Sequence, residues 1–307
     1  MKSYILRSLK KVISSFSQKI KYTLNSISPQ FTVKLIYIIK FRKRPNLKNP
    51  KTFSEKLVWL RFFYPQMPDV VLAADKAGIH EYLKKKKLNQ LAIPLIGIYD
   101  KTSDIAWDKL PKQFVIKISN GCGMNIIVTD KDKFSQNKIW KQIDKWKKID
   151  YGRRAAEPHY SKAPSKIVIE QFIEGIENDW KIFCINGVPK MIQVNKDIEI
   201  NNRNVIGKKY DLLLFTDLNG VILVRKRDEG ITDFQIGTTI ELPSDFDQMI
   251  EYAKKLSESF PLVRVDFFHH LGKIVLGEMT FTPGGGLSEY NQEIQKWLGD
   301  ALKLPMN

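Results

Sequence analysis

The sequence predicts a mixed α+β protein with a helical N-terminal third and a remainder rich in hairpins. Three observations lead there. Apolar residues recur at helical spacing over 5–24, from Thr52 to Phe63 and from Asp69 to Lys87. Short apolar runs around a Gly-rich loop follow at Phe114–Ile118 and Ile126–Thr129. Finally, Val263–Phe268 and Ile274–Thr280 alternate across turn signals at Leu271-Gly272-Lys273 and read as a hairpin. A three-residue loop there places Asp266 opposite Glu278 with both side chains on one face. Two facing carboxylates repel unless something positive lies between them. A hard divalent cation such as Mg²⁺, shared with phosphates, meets that need; the alternative reading is a solvated polar face.

At 307 residues, with 43% hydrophobic and 27% charged content, the chain has the makings of a folded protein with a sizeable core. The net charge of +17 is unevenly spread. Residues 1–54 carry 13 Lys/Arg and no acid, whereas the rest holds 37 basic and 33 acidic residues, a balance of only +4. A nucleic-acid-binding body should carry its own basic face, so that class is disfavoured. Cys122 and Cys184 cannot form a disulfide framework, which points to a reducing cytosol. His80, His159, His269 and His270 show no zinc spacing, and neither cysteine has an obvious paired histidine.

In order along the chain, Ile5, Leu9, Val12, Ile13, Phe16, Ile20 and Leu24, with lysines between them, read as a basic amphipathic helix. It would lie on an anionic membrane surface or pack on the body. The second apolar run, Phe31–Phe41, is broken by Lys34 and Lys40, so neither run is a spanning helix. No small-residue cleavage site of a secretory signal follows. Thr52-Phe-Ser-Glu55 is a capping box opening a helix. The stretch from Asp69 to Lys87 predicts one further helix, and Leu91–Tyr99 a strand limited by Pro94.

Lys117 is the one charge in the strand Phe114–Ile118, and a bound phosphate would account for burying it. The loop Ser119-Asn-Gly-Cys-Gly-Met-Asn125 reads either as a hairpin turn or as a nest of backbone N–H groups for an anion. Lys133–Lys148 is helix-like. The following loop with Tyr151, Arg153, Arg154 and His159 would suit a sugar or anionic acceptor, or simply solvent. Ile167–Gly175 is a strand running into a polar turn. No internal repeat or low-complexity linker is present.

The segments KNPKTFSEKLVWL, ADKAGIHEYL, LAIPLIGIYD, FVIKISNGCG, DWKIFCING and GEMTFTPGGG, in this order, resemble the TupA-like ATP-grasp proteins. Those are associated with teichuronopeptide, capsule and other surface-polysaccharide gene sets. The resemblance runs from about Pro45 to Pro305. It implies two α+β subdomains gripping ATP, over 111–175 and 176–307, preceded by a helical region at 49–110 and the basic arm at 1–48. By the same resemblance Lys117 and Lys181 would hold phosphates, and Gly121, Cys122 and Gly123 would close over them. Glu170, Gln171, Phe172 and Ile173 would line the adenine pocket, with backbone groups of Gln171 and Ile173 reading the base. Asp179 (or, in a competing alignment, Glu177) would sit near the ribose or phosphates.

Asp266 and Glu278 would bind Mg²⁺. Thr280 stands where many relatives have Asn, which leaves a second metal open. Arg264 would orient a carboxylate or its acyl phosphate, and Gly284–Gly286 would approach the same group. The implied activity is ATP-dependent amide formation between a carboxylate-bearing glycan, such as a uronic acid, and an amine. It would take place in the cytoplasm, with peripheral membrane contact through residues 1–48. A glycosyltransferase-type assembly enzyme, and a non-catalytic membrane- or nucleic-acid-binding module with a decayed ATP site, are the rival readings.

Overall fold

The Thr52 side chain accepts the Glu55 amide while the Glu55 carboxylate accepts the Thr52 amide, the expected capping box, which starts helix α2 (Phe53–Phe63). Such caps contribute about 0.5–2 kcal/mol each. The computed structural model describes residues 22–64, 67–174, 178–196, 212–227 and 236–305. The amphipathic stretch expected at 5–24 therefore lies almost wholly outside the described residues, as does Glu177. Residues 22–27 are helical, and α1 (Pro29–Phe41) follows, capped by Ser28. The single helix expected over 69–87 is two helices, α3 (Pro68–Ala74) and α4 (Ile79–Lys85). Asp75 breaks it with extended backbone, and its carboxylate takes the Ala77 and Gly78 amides at 3.1 and 2.8 Å. That local side-chain bonding competes with helix continuation.

Two antiparallel sheets carry the rest. The first contains β1 (Leu95–Tyr99), β2 (Phe114–Ile118), β3 (Asn125–Val128) and β4 (Ile167–Gln171) in the order β1-β4-β2-β3. One face, with Phe114, Ile116, Ile118, Ile167 and Ile169, packs against Ile139 and Ile143 of α5 (Gln136–Lys147). The alternate residues Val115, Lys117, Val168 and Glu170 therefore share the other face. The stretch read as a loop at 151–162 forms two short helices, α6 (Tyr151–Ala155) and α7 (Pro158–Lys162).

The second sheet runs β10-β9-β5-β6-β7-β8. Its strands are β5 (Asn178–Ile185), β6 (Val188–Lys196), β7 (Leu212–Thr216), β8 (Ile222–Arg227), β9 (Leu262–His270) and β10 (Lys273–Thr280). Trp180, Ile182, Val265 and Phe267 face α8 (Phe246–Ser257) and the α3–α4 pair. On the opposite face Phe183, Ile185, Met191 and Leu262 pack on α2 and α9 (Gln292–Ala301). Burying both faces at one end leaves the other end of that second face for polar residues.

Candidate active site

The β9–β10 hairpin turns on two residues, not three: His270 pairs with Lys273, and Leu271 and Gly272 have φ of 50° and 72°. Positive φ at both central residues is the geometry of a tight hairpin turn. That register alone would set Asp266 against Gly277 and put Glu278 on the apolar face. A β-bulge at Gly277 shifts the pairing, so Asp266 does face Glu278 and Arg264 faces Thr280. The expected juxtaposition is present for a different reason.

Lys181 pairs with Asp266 across β5–β9, and Asp179 lies two residues before it on the same face. The positive charge expected between the carboxylates comes from the protein. Arg264 donates from Nε and Nη2 to the two Asp266 oxygens at 2.7 Å each, and from Nη2 to Glu278 at 3.2 Å and Thr280 Oγ1 at 3.1 Å. Lys181 Nζ bonds Asp266 and lies 2.7 Å from Asp179. Burial pushes the Asp266 carboxyl up to about 6 against the pull of Arg264 and Lys181. Burial also works against the Glu278 carboxylate, but Arg264, Lys181 and Lys76 outweigh it and hold that group down at about 2.

Among the described residues, no group of three or more His, Cys, Asp or Glu is placed to hold a metal ion. Asp266, Glu278 and Thr280 form an oxygen-only donor set that fits a hard cation completing its shell with phosphate or water oxygens.

On the first sheet, Lys117 pairs with Glu170, so its charge has an anionic partner within the protein. Glu170 is buried in this pair. Ile173 joins Ile93, Val275 and Phe268 in a small apolar cluster beside the carboxylates, while Phe172 is half-buried and Gln171 exposed. The Gln171 amide, expected to read a base, donates to the Pro94 carbonyl at 3.0 Å. In the loop after β2, Gly121 is buried, Cys122 and Gly123 are exposed, and Gly123 has φ of 70°. A Cβ on Gly121 would meet the Met124 methyl at 2.1 Å, so the loop packs closely on itself.

Several site residues escaped the sequence reading. Lys76 donates its ammonium to the Gly121 carbonyl, and its amide bonds the Ser119 carbonyl at 3.1 Å. With Glu170, Glu278, His80 and Gly277 it lines a cleft. Burial lowers its pKa, opposed by Glu278. Gln193 and Asn195 face Lys181 and Asp179 across β5–β6, extending the polar array by one strand, and Gln193 donates to Asn195 at 3.0 Å. Arg61, buried, donates to the carbonyls of Ala155, Ala156 and Gly285, the last at 2.6 Å. It thereby ties α6 to the Gly284–Gly286 loop, whose three glycines all have left-handed φ. Lys76 lay within a quoted motif, but only the break at Asp75 aims it at the loop. Gln193 and Asn195 sit in an alternating strand that carries no motif.

The family model described as TupA-like ATPgrasp matches residues 55–303. The chain belongs to the TupA-like ATP-grasp family. No curated protein matches its sequence significantly. Among solved structures, an L-amino acid ligase from Bacillus licheniformis is similar over 81% of this chain and 55% of its own, at 16% identity and a TM-score of 0.52. D-Alanine-D-alanine ligase from Helicobacter pylori matches 81% of this chain and 69% of its own, at 16% identity and a TM-score of 0.44. The first likeness shows the fold, that of an ATP-grasp protein, and this chain spans 55% of that ligase's length.

Proposed function

We propose that this ATP-grasp protein is an ATP-dependent carboxylate–amine ligase that releases ADP and forms an amide through an acyl phosphate. The observation that carries the reading is the array Asp179, Lys181, Arg264, Asp266, Glu278 and Thr280 on one sheet face, with Glu278 also lining a cleft beside Lys76 and Glu170, the partner of Lys117. Phosphoryl transfer needs positioning and charge neutralisation more than covalent chemistry from the protein. In this reading Lys76, Lys117 and Lys181 bind the nucleotide phosphates as point charges. The apolar cluster of Ile93, Ile173, Val275 and Phe268 takes the purine, and the loop Gly121–Gly123 covers the phosphates.

Asp266, Glu278 and Thr280 would hold Mg²⁺, which would supply charge neutralisation on the transferring phosphoryl group. Arg264 would orient the substrate carboxylate and the acyl phosphate made from it. An amine then attacks the acyl carbon, phosphate leaves, and the amine proton is lost. The association of TupA-like proteins with surface polysaccharides supports a uronic-acid carboxyl as the acid and an amino acid or amine as its partner. Such work belongs to the cytoplasm, at the inner face of the membrane where a lipid-linked glycan is built.

The test is ADP release from Mg·ATP with a panel of uronic acids, uronate oligosaccharides and amino acids, in wild type and Glu278→Gln. Turnover that needs both an acid and an amine, and is lost in the variant, is expected. Failure to bind Mg·ATP at all would sink the reading.

A further inference from the structure

Helix α1 divides its residues between two faces. Val33 and Tyr37, each 1% exposed, pack with Val58 and Ala156 on the body. Just upstream, the Asn25 side chain donates to the Arg154 carbonyl at 2.7 Å, so the preceding helical turn is tied down as well. Phe31, Leu35 and Ile39, four residues apart, point the other way and are 59%, 37% and 60% exposed; Ile27, before the cap, is 78% exposed. A row spaced by four lies along one side of a helix. Scattered exposed apolar side chains need no account, but a row on one face of an anchored helix does.

The charges around that row identify its occupant. Lys34, Arg42, Lys43, Arg44 and Lys48 are exposed on and just after α1. No acidic residue occurs before Glu55 anywhere in the chain. A protein partner that filled the apolar row would have to be strongly acidic around its rim. An anionic bilayer supplies both the apolar interior and the negative surface at once. We propose that the outward face of α1, Phe31, Leu35 and Ile39, inserts into the interfacial region of an anionic membrane, with the Lys34 and Arg42–Arg44 cations on the headgroups.

In this reading one face of α1 packs on the body and the opposite face meets the membrane. A short chain of contacts links α1 to the Gly284–Gly286 loop. Ala156 packs beneath α1, and its carbonyl holds Arg61, which also holds Gly285. This surface deepens the membrane-proximal setting proposed above but stands on α1 alone, and its test needs no ligase activity.

The test is co-sedimentation of the full-length protein with vesicles of phosphatidylcholine, with and without phosphatidylglycerol, for wild type, Phe31→Glu/Ile39→Glu and Phe31→Leu/Ile39→Leu. Thermal melting checks that each variant folds, and light scattering gives its oligomeric state. Wild type is expected to bind the phosphatidylglycerol vesicles, weakening with salt. The Glu variant should lose at least about tenfold in partitioning, while the Leu variant keeps it. Equal partitioning of the Glu variant and wild type would overturn the proposal, as would no vesicle binding by wild type. A wild-type dimer made monomeric by the Glu substitutions, with vesicle binding unchanged, would assign the row to a second copy of the chain instead. If the Glu variant fails to fold, Lys34→Glu/Lys43→Glu replaces it and must lower binding to the phosphatidylglycerol vesicles alone.

Discussion

Arg264 and Asp266, two residues apart on β9, form a two-pronged ion pair at 2.7 Å, and the same guanidinium reaches Glu278 at 3.2 Å. The arginine thus stands where two facing carboxylates would otherwise repel. Replacing it with Met leaves the buried Asp266 with less compensation, and the loss is expected to be about 3–5 kcal/mol. Mg²⁺ should raise the melting temperature of Arg264→Met more than that of wild type, because the cation no longer competes with the guanidinium. Equal Mg²⁺ responses in thermal melts would show that these carboxylates do not form a cation site.

Gly277 decides which face Glu278 occupies. A Cβ built there would lie 2.7 Å from the Phe268 ring and 3.3 Å from the Asp266 carbonyl. Gly277→Ala is expected to cost about 1–3 kcal/mol through this overpacking and to lower Mg²⁺-dependent turnover together with stability. Urea titrations and initial rates measure both. A variant that keeps wild-type stability would mean Phe268 yields freely.

Lys76 ties itself to the loop after β2 through the Gly121 carbonyl. Lys76→Met should weaken nucleotide binding about tenfold or more, the scale of losing a hydrogen bond to a charged group. The fold should survive, since the lysine pays a desolvation penalty of its own. Calorimetric titration with ATP is the measurement, and an unchanged affinity would remove Lys76 from the phosphate-binding set.

His159, 5% exposed against Tyr160 and Phe281, is held down to about 4 by burial and, secondarily, by Arg61. The unfolded chain, with an ordinary histidine near 6.5, therefore binds more protons between these values. Stability from this group is complete above the unfolded value and is lost as pH falls from there towards 4, by about 3 kcal/mol in all. His159→Phe should flatten that acid limb in urea unfolding at a series of pH values. An unchanged limb would place the acid sensitivity elsewhere.

Much of this site was written in local patterns. The capping box at Thr52–Glu55, the lone lysine in an apolar strand, the Gly-rich loop and the facing carboxylates all depend on residues close in sequence, where spacing and backbone preference decide. The family motifs added the order of these parts. What local pattern could not carry was the identity of each charge's partner. Lys117 finds Glu170, 53 positions away, and Lys181 finds Asp266, 85 positions away. Asn195 and Gln193 join the array only because β6 lies beside β5. The break at Asp75 turned one expected helix into two, because a carboxylate that takes two backbone amides outweighs an apolar repeat. The sequence by itself determined many of the elements, most of the candidate residues and the family resemblance. Tertiary structure alone decided which charges neutralise one another and which helix face stays open, because both depend on residues far apart in the chain.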